Sequence, residues 1–161
     1  MEIRKAVHAD LDGVMDIYEA ARGIMRSSGN VNQWVNGYPQ RDVLEQDINR
    51  GELYVAESDG KLCAVFMFTL RDDPTYVYVE DGAWPNDMPY GTIHRLGSSG
   101  KVRGVGGACI EFCKERIANV RADTHADNLI MQNLLKKHGF VRCCRIYVED
   151  GTPREAFQFC G

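Results

Sequence analysis

A glycine-rich segment places the strongest constraint on how this chain folds. It covers residues 101–108, KVRGVGGA, and lies between a strand-forming run at 92–96 and an apolar pattern of helical period. The first backbone N–H groups of a helix have no partner within the helix, and the helix dipole favours anions there. Three glycines allow close approach to the main chain, and Lys101 and Arg103 add positive charge. The segment therefore predicts an anion site suited to a pyrophosphate.

The distribution of charge favours one small anion site. A formal net charge of −4 argues against a partner such as nucleic acid, which binds by phosphate neutralisation over a broad face. Residues 88–110 nevertheless contain no acidic residue, while His94, Arg95, Lys101 and Arg103 all fall within them. We expect a local anion site on a mildly acidic protein.

Length and composition predict one ordinary globular domain over residues 1–161. The chain is 44% hydrophobic and 26% charged. Its first residues lack the apolar stretch of a signal peptide, and the most apolar run, 62–70, is too short to cross a bilayer. Six cysteines occur without a CxxC pair, which favours buried free thiols over a metal site. A cytoplasmic protein with no membrane contact and no metal is expected.

The order of apolar patterns predicts an α/β (α+β) fold with a mixed sheet covered by helices. Strands are predicted at 2–7, 52–57, 61–70, 76–79, 92–96, 119–124, 140–148 and 155–159. Helices are predicted after Asp10, at 42–49, over the apolar positions 105–113 and at 128–138. The stretch 27–40 is rich in Ser, Gly and Asn and is interpreted as a loop.

Glycine-rich turns are not specific by themselves, and two nucleotide-binding motifs fit poorly. The dinucleotide fingerprint requires glycine where this chain has Cys109, which weakens a redox function. The P-loop requires Ser or Thr after Gly-Lys, but Val102 follows Lys101. A merely flexible connection stays open as the structural alternative.

Two motifs resemble those of the GNAT (GCN5-related) N-acetyltransferases. Lys101-x-x-Gly104-x-Gly106 is similar to the family's Gln/Arg-x-x-Gly-x-Gly/Ala signature, with Lys in the first position. Asn128, which opens a helix that leads through Lys137 to Gly-Phe at 139–140, is similar to the later motif. Residues 3–22 also resemble the family's first strand and helix, so the resemblance covers essentially the whole chain.

The resemblance implies a mostly antiparallel sheet in which two central parallel strands splay apart to admit acetyl-CoA. The backbone at Leu96 is then expected to meet the thioester carbonyl or the pantetheine arm. Asn128 is expected to bind the pantetheine or phosphate region, and Lys137 either reaches the adenosine end or is a solvated helix-end lysine. The remaining residues implied to bind the cofactor are Lys101, Val102, Arg103, Gly104, Val105, Gly106, Gly107 and Ala108.

The implied reaction is direct attack by an amine of a small molecule or a protein on the thioester, in a ternary complex. It needs a base, an acid and a donor for the developing oxyanion. Many members of the family place a Tyr four residues before Gly-Phe as the acid, but here that residue is Leu135. Another residue or water takes that role, or the chain is a non-catalytic CoA-binding or sensor module.

Several residues are candidates for the remaining roles, each with a structural alternative. His94 faces the same side as Leu96 if their strand is regular, and it either transfers protons or is structural. Glu80 is the candidate base, with Asp123 at the end of another strand as a second carboxylate. Solvated turn carboxylates are the favoured structural alternative for both. Trp34 and Tyr38 either fill the core or line the acceptor site, and the acceptor and a possible homodimer are left undetermined.

Overall fold

Seven strands form one sheet in the computed structural model, which describes residues 1–161. They are β1 (Glu2–Lys5), β2 (Leu53–Ser58), β3 (Lys61–Thr69), β4 (Gly91–Ser98), β5 (Asn119–Thr124), β6 (Val141–Tyr147) and β7 (Pro153–Cys160). Their order across the sheet is β1-β2-β3-β4-β5-β7-β6, and every neighbouring pair is antiparallel except β4 and β5. The predicted mixed, mostly antiparallel sheet is confirmed.

Four helices cover the two faces of the sheet: α1 (Leu11–Ser27), α2 (Arg41–Asn49), α3 (Val105–Lys114) and α4 (Leu129–Lys137). Side chains of successive strand residues point to opposite faces of the sheet, so each face has its own hydrophobic core. Val65 packs in the core that contains α1 and α2, whereas its neighbour Phe66 packs in the core that contains α3 and α4. None of the helices is long and apolar enough to span a membrane. All six cysteines are free, and four of them are buried.

The prediction of a strand at 76–79 is wrong. Residues Pro74–Tyr76 form a short 3₁₀ helix instead, because Asp73 Oδ1 accepts a hydrogen bond from the Thr75 N–H at 2.9 Å and Pro74 suits a first helical turn. Only Glu80 pairs with the sheet, through an isolated bridge to Arg145. Most other elements end within one or two residues of their predicted bounds, although β7 is longer than predicted at its start.

Strands β4 and β5 separate soon after they begin. Their parallel pairing covers only Gly91 with Val120, Thr92 with Arg121 and Ile93 with Ala122, and β4 then continues against β3 alone. This divergence is the predicted splay of central parallel strands. It leaves an open space between the second half of β4 and the end of β5.

A β-bulge lies on β4 just after the splay begins. Val65 of β3 is opposite Gly97, and Met67 is opposite His94, so two steps on β3 match three on β4. Arg95 takes up the extra residue with φ of +52°, an unusual conformation for a residue with a side chain. The bulge breaks the alternation of side chains between His94 and Leu96.

Two helices hold the bulge in place. The Tyr18 hydroxyl of α1 donates to the Arg95 carbonyl oxygen at 2.7 Å. The Arg95 guanidinium forms an ion pair with Asp47 of α2, and the two side chains are only 14% and 5% exposed. The conformation of β4 therefore depends on a buried ion pair and a hydrogen bond from outside the sheet.

We expect Asp47→Ala to lower the free energy of unfolding by about 3–5 kcal/mol, because it leaves the Arg95 charge buried without its partner. Urea unfolding at pH 7 measures this change. The control is Asp12→Ala, which removes an exposed ion pair with Arg41 and should cost less than about 1 kcal/mol. Equal losses in the two variants would contradict the assigned role of the Asp47 carboxylate.

Candidate active site

The larger of two adjoining cavities begins where β4 leaves β5. It has a volume of about 680 Å³, including space open to solvent, and lies between the end of α1, the end of β4 and the starts of α3 and α4. The walls are mainly apolar and include Met25, Leu96, Gly106, Asn128 and Leu134. Such a cavity suits a long, narrow ligand with few charges along its length.

The start of α3 forms one end of this cavity. Gly104 precedes the helix with φ of +77°, and a β-carbon built there would meet no atom within 4 Å, so the space in front of the turn is free. Ala108 makes the first helical hydrogen bond, to the Gly104 oxygen at 3.1 Å. The N–H groups of Val105, Gly106 and Gly107 donate to no acceptor in the chain. These free donors and this open space fit a phosphate group.

Glycine at the next two positions also allows α3 and α4 to pack closely. A β-carbon at Gly107 would lie 2.6 Å from His138 Nε2, and one at Gly106 would lie 3.0 Å from Leu134 Cδ2. Close packing therefore accounts for part of the glycine pattern. The left-handed turn at Gly104 is the part that packing does not require.

Three of the predicted cofactor residues, Leu96, Gly106 and Asn128, line the larger cavity together. Asn128 Oδ1 caps α4 by accepting from the Met131 N–H at 3.0 Å. Lys101 and Arg103 are exposed before α3, and Lys137 is exposed in the last turn of α4, outside the cavity lining. Of the remaining predicted residues, Val105 and Gly107 are buried, Val102 and Ala108 are half-buried and Gly104 is exposed.

A smaller cavity of about 400 Å³, again including space open to solvent, adjoins the first beyond the splay. The two share Met25, Leu96, Asn128 and Met131. The residues that line only the smaller cavity include Gln33, Trp34, Arg95, Asp123 and Leu135. Its walls thus combine apolar surface with a guanidinium, an amide and a carboxylate.

The two aromatic residues of the 27–40 loop have different positions. Trp34 lines the smaller cavity and packs edge-on against Tyr18, with ring centroids 5.3 Å apart. Tyr38 lies behind the cavity lining, where its hydroxyl accepts from Arg95 Nη1 at 3.4 Å. Leu135 is a buried apolar part of the wall and offers no proton.

Asp123 is the carboxylate that lines the smaller cavity. Its Oδ2 accepts a hydrogen bond from the Tyr76 hydroxyl at 2.7 Å. Burial and the charge of Asp123 raise the pKa of Tyr76 well above its ordinary value, so that Tyr76 stays protonated and donates. The hydrogen bond fixes the orientation of a carboxylate that has no cationic hydrogen-bond partner.

The structure does not bring the other two proton-transfer candidates into either cavity lining. The bulge separates His94 from the side that Leu96 occupies, and His94 Nε2 lies 2.8 Å from Asp73 Oδ2. Glu80 is bound by the hydroxyls of Tyr78 and Tyr147, the latter at 2.7 Å. The regular strand that would place His94 on the side of Leu96 is absent, because Arg95 adds a residue to β4.

The polar residue that sequence reasoning missed is Gln33. Its Oε1 accepts from Asn128 Nδ2 at 3.2 Å and from Asn30 Nδ2 at 3.1 Å, so it connects the loop after α1 with the cap of α4. In the sequence, only the aromatic residues of this loop stand out as candidate site residues. No local pattern marks a glutamine whose partner lies 95 residues away.

Comparison with protein-family models finds no match, and comparison with curated proteins finds none either. Solved structures do match. A GNAT-family acetyltransferase from Streptococcus agalactiae is 29% identical with a TM-score of 0.91, over 99% of this chain and 95% of that one. A putative acetyltransferase from Staphylococcus aureus is 25% identical with a TM-score of 0.71, over 99% of both chains. A ribosomal-protein-alanine N-acetyltransferase from Brucella melitensis, 18% identical over 100% of both chains with a TM-score of 0.60, bears on the fold alone.

The contact between Asp73 and His94 makes stability depend on pH in acid. Burial alone raises the pKa of Asp73, but hydrogen bonds from His94 and Thr75 outweigh it and lower the pKa to about 2 from 3.8. The stabilisation, about 2 kcal/mol, is therefore present above about pH 4 and is lost as pH falls towards 2. We expect the difference in unfolding free energy between wild type and Asp73→Asn to shrink over that range in urea titrations. A difference that is constant from pH 6 to pH 2 would contradict this assignment.

Proposed function

The chain belongs to the GNAT family of acetyltransferases, and on this premise we propose that it transfers an acetyl group from acetyl-CoA to a primary amine. The amine belongs to a small molecule or to a protein. One observation carries the proposal: a single cleft joins the free N–H groups at the start of α3 to a cavity that contains a carboxylate. Recognition of a pyrophosphate and removal of a proton are the two tasks that such a transfer needs.

The cofactor lies along this cleft in the proposed complex. Its pyrophosphate accepts hydrogen bonds from the N–H groups between Val102 and Ala108, and the exposed Lys101 and Arg103 add favourable charge. The pantetheine arm occupies the larger, mainly apolar cavity, beside Leu96 and Asn128. Lys137 is assigned to the adenosine end, and no metal ion takes part.

The acceptor amine binds in the smaller cavity, and Asp123 takes its proton directly or through one water. The carboxylate lines that cavity and is held by Tyr76, so it is in place before the substrate arrives. The amine nitrogen then forms a bond to the thioester carbon, the carbon–sulfur bond breaks, CoA leaves as a thiolate, and the nitrogen releases its second proton to water. Leu135 supplies no proton, so water protonates the sulfur.

The other residues of the acceptor side have supporting roles in this proposal. Trp34 forms an aromatic wall of the smaller cavity, and Tyr38 supports it from behind through Arg95. His94 contributes indirectly, because it contacts Asp73, whose carbonyl oxygen accepts a hydrogen bond from the Tyr76 N–H at 3.0 Å. Glu80 is retained as a candidate from the sequence, although it lines neither cavity.

A non-catalytic CoA sensor is the second candidate, and Leu135 at the usual position of the acid is the observation that favours it. The two functions differ in turnover. Release of free thiol from acetyl-CoA with any member of a panel of primary amines supports the transferase. Tight CoA binding with no thiol release across the panel would leave the sensor.

We expect Gly104→Val to weaken CoA binding at least tenfold in isothermal titration, because a branched side chain cannot adopt φ of +77° without strain and would occupy the free space before α3. The matched control is Gly60→Val, in the β2–β3 turn, where φ is +75° and no atom lies within 4 Å either. It introduces similar backbone strain away from the cleft. Unchanged affinity in the Gly104 variant would remove the basis of the proposed pyrophosphate site.

We expect Asp123→Asn to lower kcat/KM for the amine by about 10²–10⁴, because the amide cannot accept the amine proton, while CoA affinity stays within about twofold. The substitution keeps an oxygen for the Tyr76 hydrogen bond. Glu80→Gln and His94→Gln are measured beside it by thiol release. A loss in either of them as large as that in the Asp123 variant would assign the proton transfer to that residue instead.

A further inference from the structure

Asn30 has a buried acceptor atom that no group in the protein satisfies. It lies in the loop after α1, the residue is 2% exposed, and it lines the larger cavity. Its Oδ1 makes no hydrogen bond. Since nearly all buried polar atoms in folded proteins have a partner, the orphan oxygen of a residue in the cavity wall points to a donor from outside the chain, either a water or a ligand.

The orientation of the Asn30 amide is fixed by two backbone N–H groups. The His125 N–H can only donate, and it lies 3.4 Å from Gln33 Oε1, so Gln33 presents its oxygen there. The Met131 N–H likewise donates to Asn128 Oδ1, which leaves the Asn128 nitrogen to donate to that same Gln33 oxygen. The His125 N–H and the Asn128 nitrogen both donate to this atom of Gln33, so it is the oxygen Oε1, and the Asn30 amide contacts the same atom.

Asn30 therefore has to present its nitrogen to Gln33, at the observed distance of 3.1 Å. The reversed amide would place two acceptor oxygens against each other. The carboxamide oxygen of Asn30 is consequently the atom left without a partner, and its identity follows from the network rather than from the choice of rotamer.

We propose that Asn30 Oδ1 accepts a hydrogen bond from an amide N–H of the pantetheine arm of CoA, an inference that rests on the proposed function. Phosphate oxygens are excluded because they accept rather than donate at neutral pH. The acceptor amine is excluded because it is assigned to the smaller cavity, which Asn30 does not line. An arm in the larger cavity carries three donors: two amide N–H groups and, at the end next to the phosphates, the pantoyl hydroxyl. Replacing each amide by an ester distinguishes the amides from the hydroxyl.

This contact gives Asn30 a role in recognising the arm separately from the nucleotide. The start of α3 binds the phosphates through backbone groups and does not distinguish CoA from its nucleotide fragment. A side chain that recognises an amide within the cavity adds affinity only for ligands that have the arm. We expect a contribution of about tenfold, the size of one neutral hydrogen bond.

Isothermal titration of Asn30→Ala with CoA and with adenosine 3′-phosphate 5′-diphosphate tests this inference. The variant should bind CoA about tenfold more weakly than wild type and the nucleotide equally well. Asn32→Ala is the control, since Asn32 is an exposed asparagine of the same loop, and both ligands should bind it as they bind wild type. Unchanged CoA affinity in Asn30→Ala would overturn the inference. Failure of the wild type to bind either ligand would instead remove the proposed function.

Two CoA analogues, each with one pantetheine amide replaced by an ester, give a second readout that does not depend on the variant's folding. Wild type should lose about tenfold in affinity for one of them, because that ester lacks the N–H that meets Asn30. Asn30→Ala should show no further loss with the same analogue. Wild-type binding that is unaffected by both esters, or the same loss in both proteins, would overturn the inference.

Discussion

The early end of the pairing between β4 and β5 is the constraint on which the site depends. Beyond Ile93 the two strands no longer share hydrogen bonds, and the backbone of β4 continues against β3 alone. Backbone groups left facing a cavity need water or a ligand as partners. The buried pair of Arg95 and Asp47 and the Tyr18 hydroxyl keep β4 in the bulged path that holds the gap open. Helices α1 and α2 thus determine the shape of a site whose recognised motifs lie on α3 and α4.

Much of the fold follows from local patterns. The strand at 119–124 has the predicted bounds. Val14, Ile17, Tyr18 and Ala21 of α1 are buried at helical spacing, because one face of the helix packs against the core. The prediction of a strand at 76–79 is wrong because the Asp73 cap and Pro74 start a 3₁₀ helix, so that the chain is not extended there. Tyr76 is buried even though it is not part of a strand.

The open glycine turn at the start of α3 could be predicted from the sequence, whereas the polar lining of the smaller cavity could be predicted only in part. Position 104 has a positive φ, which favours glycine, and a glycine at this position is visible in the sequence pattern. The places of His94 and Asp123 depend instead on one extra residue in β4 and on the Tyr76 hydroxyl, and neither has a local signal. The polar network of Gln33 joins segments more than 90 residues apart, so only the folded chain reveals it.

The close packing of His138 on Gly107 limits how the cleft can admit a long molecule. His138 Nδ1 lies 2.7 Å from Glu111, and Lys114 donates to the His138 carbonyl oxygen at 2.9 Å, so the far ends of α3 and α4 are joined by several contacts. These two helices cannot part without breaking all of those contacts at once. The opposite wall includes the irregular 28–40 loop, which carries Asn30, Gln33 and Trp34. The width of the cleft is therefore fixed on the side of α3 and α4, and any change in it has to come from the wall that contains this loop.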